Sequence, residues 1–224
     1  QGAQKFQSGD VEGGIKDFEK AIDLNPEFDK AHYNKGIGHY TLKQMDEAVE
    51  SFGNAIKYNP SNEDAYYYRA YINYSSGSLK EALRDYEVLL ELSPSKDEYY
   101  TNAAQIHIGL GDYESAIAVY DMQITQNPEN AIAIFNRGAT KQNQMDFDGA
   151  IDDYTRAIEL NPNYAEAYAN RGFAKINQYT TTGQLKLSKN EAQSPCADLK
   201  RANDLGDDSI GTTDMLYLYC KDNK

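Results

Sequence analysis

The sequence predicts an all-α solenoid of about six antiparallel helix pairs, on three observations. Pro26, Pro60, Pro94, Pro128 and Pro162 stand 34 residues apart, and a fixed period of that size marks a repeat array. Small residues keep the same register: Gly36, Ala70, Ala104, Gly138 and Gly172 form one column, and Gly14, Ala48, Ala82, Ala116 and Ala150 form another. Large residues fill the intervals, with Phe18, Phe52, Tyr86, Tyr120 and Tyr154 four places after the second column and Ile22, Ile56, Leu90, Ile124 and Ile158 four later again. That spacing gives each second helix one apolar stripe.

The elements follow from these columns. Four of the prolines follow Asn and Pro94 follows Ser93; each ends a helix, because proline disfavours helical geometry in the residue before it and cannot donate to the next turn. The small columns let neighbouring helices approach closely. Residues 1–26 read as a first repeat with a shortened first helix, Gly2 to Gln7, before the turn Ser8-Gly9-Asp10. That predicts either further sequence upstream or a frayed end. Repeats of full length follow at 27–60, 61–94, 95–128 and 129–162. Leu89 and Gln123 replace the alanine column of Ala21, Ala55 and Ala157, which predicts looser or offset packing between the third and fourth repeats. In the sixth repeat, 163–206, the polar stretch 178–193 reads as an insertion. Ser194 then reads as a helix N-cap, Pro195 as the first helical position and Gly206 as the C-cap, ending the array at residue 206. Residues 207–224, with Met215, Leu216, Leu218 and Tyr219, read as a capping helix over the end of the stack.

Composition narrows the function. The chain is 40% hydrophobic and 12% aromatic, and its net charge of -13 opposes binding to nucleic acid or to an anionic membrane surface. No stretch has the length and apolarity of a membrane span and no basic-then-apolar leader is present, so a soluble chain is expected, with earlier removal of a leader left open. Cys196 and Cys220 are too few for a disulfide framework or a structural zinc site, and form either one local bridge or two free thiols. His32 and His39, seven residues apart on one helix, are separated by about 10 Å along its axis, and His107 belongs to another repeat, so no metal site is expected. Asp152 and Asp153 point in different directions around a helix, and nucleophile elbows and phosphate-binding loops are missing. An enzyme and a cofactor are therefore not expected. Asn73-Tyr74-Ser75 matches a glycosylation acceptor, a match short enough to arise by chance.

Taken together, the columns resemble the tetratricopeptide-repeat family over roughly residues 1 to 206. The chain departs from the family pattern at Lys35, Arg69, Arg137 and Arg171, where leucine is usual, and at His39, Asn73, His107 and Lys141, where tyrosine is usual. The resemblance implies a right-handed superhelix whose first helices line a concave surface that holds a partner as an extended peptide or a helix. The corresponding positions are Tyr33, Asn34 and Ile37; Tyr67, Tyr68 and Tyr71; Thr101, Asn102 and Gln105; Phe135, Asn136 and Ala139; and Ala169, Asn170 and Phe173. Asparagine fills one column, Asn34, Asn102, Asn136 and Asn170, broken by Tyr68. A carboxamide both donates and accepts, so the column reads either as a ladder for an extended backbone or as side chains bonded to a neighbouring helix or to water. Tyrosines beside it offer contact area at low entropic cost, whereas Tyr66 and Tyr100 read as core. The clamp by which some members of the family hold an acidic C-terminal tail is not expected, because Tyr33, Tyr67, Glu98, Thr101, Ile132, Phe135 and Glu166 stand where it needs lysine. Lys35, Arg69, Arg137 and Arg171 read as inter-repeat salt bridges.

The function implied by the resemblance is a non-enzymatic scaffold for a protein or peptide partner. Self-association into a homo-oligomer is the alternative, and recognition of a carbohydrate or small ligand by Tyr67, Tyr68, Tyr71 and Tyr74 is a third reading. The run Pro195-Cys196-Ala197-Asp198-Leu199-Lys200 with the later Tyr219-Cys220 resembles the last repeat of exported repeat proteins of Bacteroidetes-type bacteria. A bridge between Cys196 and Cys220, if formed, would join the last repeat to the cap and contribute about 3–4 kcal/mol in the chain-entropy model. The likeness, with the oxidising compartment that such a bridge would need, implies a periplasmic or secreted location, a cytoplasmic one being the alternative.

Overall fold

The computed structural model describes residues 1–184 and 186–220. They form thirteen α-helices, with no strand among the described residues: α1 (Gly2–Gln7), α2 (Val11–Leu24), α3 (Asp29–Thr41), α4 (Met45–Tyr58), α5 (Glu63–Ser75), α6 (Leu79–Leu92), α7 (Asp97–Gly109), α8 (Tyr113–Gln126), α9 (Ala131–Asn143), α10 (Phe147–Leu160), α11 (Ala165–Thr180), α12 (Lys189–Asp204) and α13 (Ile210–Cys220). The chain divides after Leu110 into two compact units, Gln1–Leu110 and Gly111–Lys224. In the first, consecutive helices from α1 to α7 pack on one another; in the second, those from α8 to α13 do the same, and α9 also touches α11. Contact between sequence neighbours is the all-α repeat architecture that the 34-residue period predicts.

The Asn-Pro signals act as helix stops with a local bond. Asn25, Asn59 and Asn161 cap the C-termini of α2, α4 and α10, and their Oδ1 atoms accept from the backbone N–H two residues on, each at 3.2 Å. Such Asx turns bend the chain toward the next first helix. The tighter turn inside a repeat uses a left-handed residue, as helix C-termini commonly do. Gly9, Gly77 and Gly111 take φ of 84°, 81° and 76°, while the same column holds Lys43 at 60° and Met145 at 64°. Asp10, Asp112 and Asp146 then cap α2, α8 and α10 by accepting from the N–H three residues later.

Both small columns are buried. A Cβ added at Gly36 would lie 2.7 Å from the Phe52 ring, and one at Gly172 would lie 2.9 Å from Leu199 Cγ, so these glycines set how near the two helices of a pair come. Beside them runs the basic column. Arg69 forks onto Asp85 (2.9 and 2.6 Å), Arg137 onto Asp153 (2.9 and 2.5 Å) and Arg171 onto Asp198 (2.9 and 2.6 Å). These forks lie within a repeat, joining its first helix to its second, whereas the expected bridges between repeats are Lys35 to Glu19 and Arg137 to Asp121. Lys141 and Lys175, one turn after the arginines, close on Asp153 and Asp198 as well. The fourth repeat has neither member of the fork: Ala103 and Val119 stand in the two positions.

The sixth repeat differs from its expectation. α11 runs on to Thr180, and α12 begins at Lys189, not after Ser194, so the segment outside helix is 181–188 instead of 178–193. Ser188 is the N-cap, in a capping box with Glu191, and Pro195 lies inside the helix, fully buried. The two reciprocal bonds of the box, with Gln184 Nε2 also donating to Glu191, outweigh the single backbone donor that Pro195 lacks. Leu185, within the expected insertion, and Lys221 to Lys224, the end of the expected cap, lie outside the described residues. α13 packs on α12, and Cys196 and Cys220 form a disulfide between them with Cα atoms 5.6 Å apart. Ile176, Leu199 and Ala192 are buried with the two sulfurs, and Phe173, Leu187, Met215, Leu216 and Tyr219 pack round them.

Candidate functional site

In the first unit the expected site residues come from α3, α5 and α7. Offsets of one and four place Tyr33, Asn34 and Ile37 on one face of α3, and Tyr67, Tyr68 and Tyr71 on one face of α5. Their rings form a connected row. Tyr68 stacks on Phe52 at 5.4 Å, with 12° between planes, and lies 6.3 Å from Tyr33 and 6.0 Å from Tyr67; Tyr67 in turn lies 6.1 Å from Tyr99 on α7. Tyr40, which the sequence reading did not assign, completes the row, 5.5 Å from Tyr68 and 6.4 Å from Tyr71. Tyr68, which breaks the asparagine column, is thus the hub of an aromatic floor. Tyr71 is 45% exposed, so the floor reaches solvent.

The surroundings hold the Tyr33, Tyr40 and Tyr67 hydroxyls in their neutral form. Burial, with Asp64 next, pushes Tyr33 up to about 12. Tyr67 also rises to about 12, first because its hydroxyl donates to Glu98 Oε1 at 2.7 Å and then through burial. Burial raises Tyr40 as well. At the edge of the floor Glu63 accepts from Lys96, from Tyr99 at 2.5 Å and from Ser93 at 2.7 Å, which lowers its carboxyl to about 2, the Lys96 bond contributing most. Beside Tyr33 lies a cavity of about 540 Å³ lined by Asp29, Lys30, Tyr33, Asn34, Asn62 and Asp64, among others.

The asparagine column behaves differently along its length. Asn34 Nδ2 donates to the Lys30 carbonyl on its own helix at 2.7 Å, and Asn170 Nδ2 to that of Glu166 at 2.9 Å. Asn102 Nδ2 donates to Tyr86 Oη on the preceding helix at 3.2 Å. Asn136 is half-buried and Gln105 is exposed. In the second unit the two phenylalanines serve packing. Phe135 lies 5.5 Å from Tyr154 and 4.9 Å from Tyr164, and Phe173 belongs to the cluster around the disulfide, where Gly211 of α13 closes over its ring. Ala169 is buried. The second unit has a separate cavity of about 400 Å³ on α12, lined by Lys189, Asn190, Gln193, Cys196, Ala197 and Lys200, which sequence reasoning did not find.

His32 stacks on Tyr58 at 5.4 Å and shares a 2.9 Å hydrogen bond with the Pro26 carbonyl, while His39 Nδ1 bonds to Gln44 Oε1 at 2.7 Å. Among the described residues no group of three His, Cys, Asp or Glu could hold a metal ion, and no helix is long and apolar enough to cross a membrane.

Three family models, each described as tetratricopeptide repeat, match the sequence: one at residues 4–52 and 39–97, one at 97–130 and one at 131–164. No curated protein matches it. Among solved structures the fold is similar to YrrB, described as a tetratricopeptide-repeat protein with an unusual peptide-binding site, at 19% identity and a TM-score of 0.67 over 90% of this chain and 98% of that one. It is also similar to MamA from Desulfovibrio magneticus RS-1, at 14% identity and 0.62 over 81% and 97%. A tetratricopeptide repeat protein from Parabacteroides merdae ATCC 43184 is similar at 19% and 0.61 over 97% and 95%. At these identities the likeness is one of fold.

Proposed function

The chain belongs to the tetratricopeptide-repeat family, a family of protein-interaction scaffolds, and on that premise we propose that it is a non-enzymatic scaffold holding an extended partner segment along the first helices of its first unit. The observation that carries this reading is the aromatic floor of α3 and α5. Tyr33, Tyr67 and Tyr71 stay partly exposed although a wholly structural role would bury them, and tyrosine is a preferred anchor at interfaces. The peptide-binding site attributed to the similar YrrB supports the same use of the fold. Asn102 and Gln105 on α7 add carboxamides beside the floor; Asn34 keeps its carbonyl oxygen as an acceptor while its nitrogen serves its own helix. Phe135, Asn136, Asn170 and Phe173 contribute less to such a site, since both rings are committed to packing.

The test is capture of peptides from a random dodecapeptide pool by the full chain and by Tyr71→Ala and Gln105→Ala. Both positions are exposed, so melting should stay within a few degrees of the parent while capture falls. Undiminished capture would defeat the proposal.

Self-association is the second reading, favoured by one observation. α13 begins 45 residues after α11, the same interval that separates the fork carboxylates Asp153 on α10 and Asp198 on α12, so it stands in register as the first helix of a further repeat. Ile210 and Leu218 on it are 79% and 67% exposed. Sedimentation equilibrium of the full chain and of Leu218→Lys decides it: a monomer at all concentrations removes this reading.

A further inference from the structure

Resting on the groove reading above, we infer that the segment taken by the first unit is basic, and that it presents Lys or Arg side chains to the tyrosine floor between α3 and α7.

Three observations combine. The floor itself attracts cations, because an aromatic face carries a negative quadrupole and a cation above it is held within about 6 Å of the centroid. Lys96 Nζ already sits in this way over Tyr99, 5.2 Å from its ring centroid. Next, the rim is acidic in register with the rings. Asp64 and Glu98 stand 34 residues apart, each at the same point of its helix and both exposed. Glu98 is fixed there by the Tyr67 hydroxyl at 2.7 Å, so one carboxylate oxygen lies beside the ring row. Last, two neighbouring cations are already engaged: Arg69 turns away to Asp85, and Lys96 is tied to Glu63. Lys30, which holds the Asp64 register on α3, lines the cavity and opposes part of this charge, but Asp29 and Asp64 line it too. A guanidinium or ammonium group entering beside Tyr33 would therefore meet a ring face and a carboxylate together, a pairing that suits arginine in particular.

The second unit lacks this combination. Its residues in the Asp64 and Glu98 register are Ile132 and Glu166, and Ala139 stands in the register of Tyr71. Phe135, in the register of Tyr67, is packed against Tyr164. The preference for a basic segment is thus a property of α3 to α7 and not of the chain's net charge of -13.

The experiment retains peptides from a random dodecapeptide pool on the immobilised full chain and sequences what is bound, alongside Asp64→Asn/Glu98→Gln, Tyr71→Ala and the control Glu47→Gln/Glu50→Gln. The control removes two exposed charges from α4. Enrichment of Lys and Arg among retained peptides is expected. For a defined retained peptide, the rim variant should weaken binding about three- to tenfold while the control stays within twofold. Equal losses in the rim variant and the control would mean attraction to net charge alone and would overturn the inference. Retained peptides without charge bias, still lost on Tyr71→Ala, would overturn it while leaving the groove reading intact. A pool from which nothing is retained would take down both.

Discussion

The fork at Asp153 provides a quantitative test of what holds a repeat together. Its side chain is 5% exposed and receives Arg137 at 2.9 and 2.5 Å and Lys141 at 2.8 Å, while Arg137 also reaches Asp121 at 2.6 Å. Removing one member of a buried pair typically costs about 3–5 kcal/mol, because a charge is left without its partner. Here Arg137 keeps Asp121, and both cations are about one-fifth exposed, so Asp153→Ala should cost nearer to about 2–3 kcal/mol. The fourth repeat shows the apolar alternative, Ala103 with Val119. Transferring it as Arg137→Ala/Asp153→Val removes both charges of the fork and leaves Lys141, one-fifth exposed, to turn to solvent, so it should cost about 1–2 kcal/mol, less than the Asp153→Ala single change. Urea unfolding followed by far-ultraviolet circular dichroism reads the difference, as does melting, where 1 kcal/mol corresponds to about 2–4 °C in a chain of this size. If the double variant loses as much as the sum of the two single changes, the fork is not a coupled unit and the reasoning fails.

Other outcomes follow from single columns. At the left-handed turn, Met145→Gly and Lys43→Gly relieve a side chain held at positive φ and should each add about 0.5–1 kcal/mol, whereas Gly77→Ala should cost about 1 kcal/mol, read from urea midpoints. Glu63 is depressed to about 2 from an ordinary 4.5, so its contribution is fully present above about pH 4.5 and is lost as pH falls toward 2. Glu63→Gln should be less stable at pH 7 and lose less than the parent between pH 4.5 and 2; parallel acid curves would refute the assignment. Breaking Cys196–Cys220, whose partners are 24 residues apart, should cost about 3 kcal/mol of α13 docking. Hydrogen exchange should then quicken in α13 and around Phe173 and leave α3 to α7 unchanged.

The fold was legible because its determinants repeat. A proline or a small residue at one point is weak evidence, but five copies 34 residues apart are not, and helices α3, α5, α7 and α9 begin at residues 29, 63, 97 and 131 accordingly. The start of α12 misled because Ser194-Pro195 imitates a helix N-terminus. The pair Ser188 and Glu191 carries the stronger signal, two reciprocal bonds against one absent donor, and was readable as a capping box. The asparagine column was visible, but its bonding was not: a carbonyl four residues back competes for each carboxamide, and only coordinates show that Asn34 and Asn170 take it while Asn102 does not. Phe173 reads as a groove residue by its register, but the capping helix that the sequence predicts over 207–224 packs against its ring, and register alone does not show which side chains a cap covers. Tyr40 lies seven residues after Tyr33, on the same face, a spacing that marks it as part of the row. The pairing of Cys196 with Cys220 needed a distance that spacing alone cannot supply.

Hydrogen–deuterium exchange of the full chain, with and without a peptide retained from the pool, tests the central claim most directly. Slowed exchange at the inner turns of α3, α5 and α7, around Tyr33, Tyr67 and Asn102, is the predicted result. Protection confined to α13, or to the second helices α4 and α6, would contradict it.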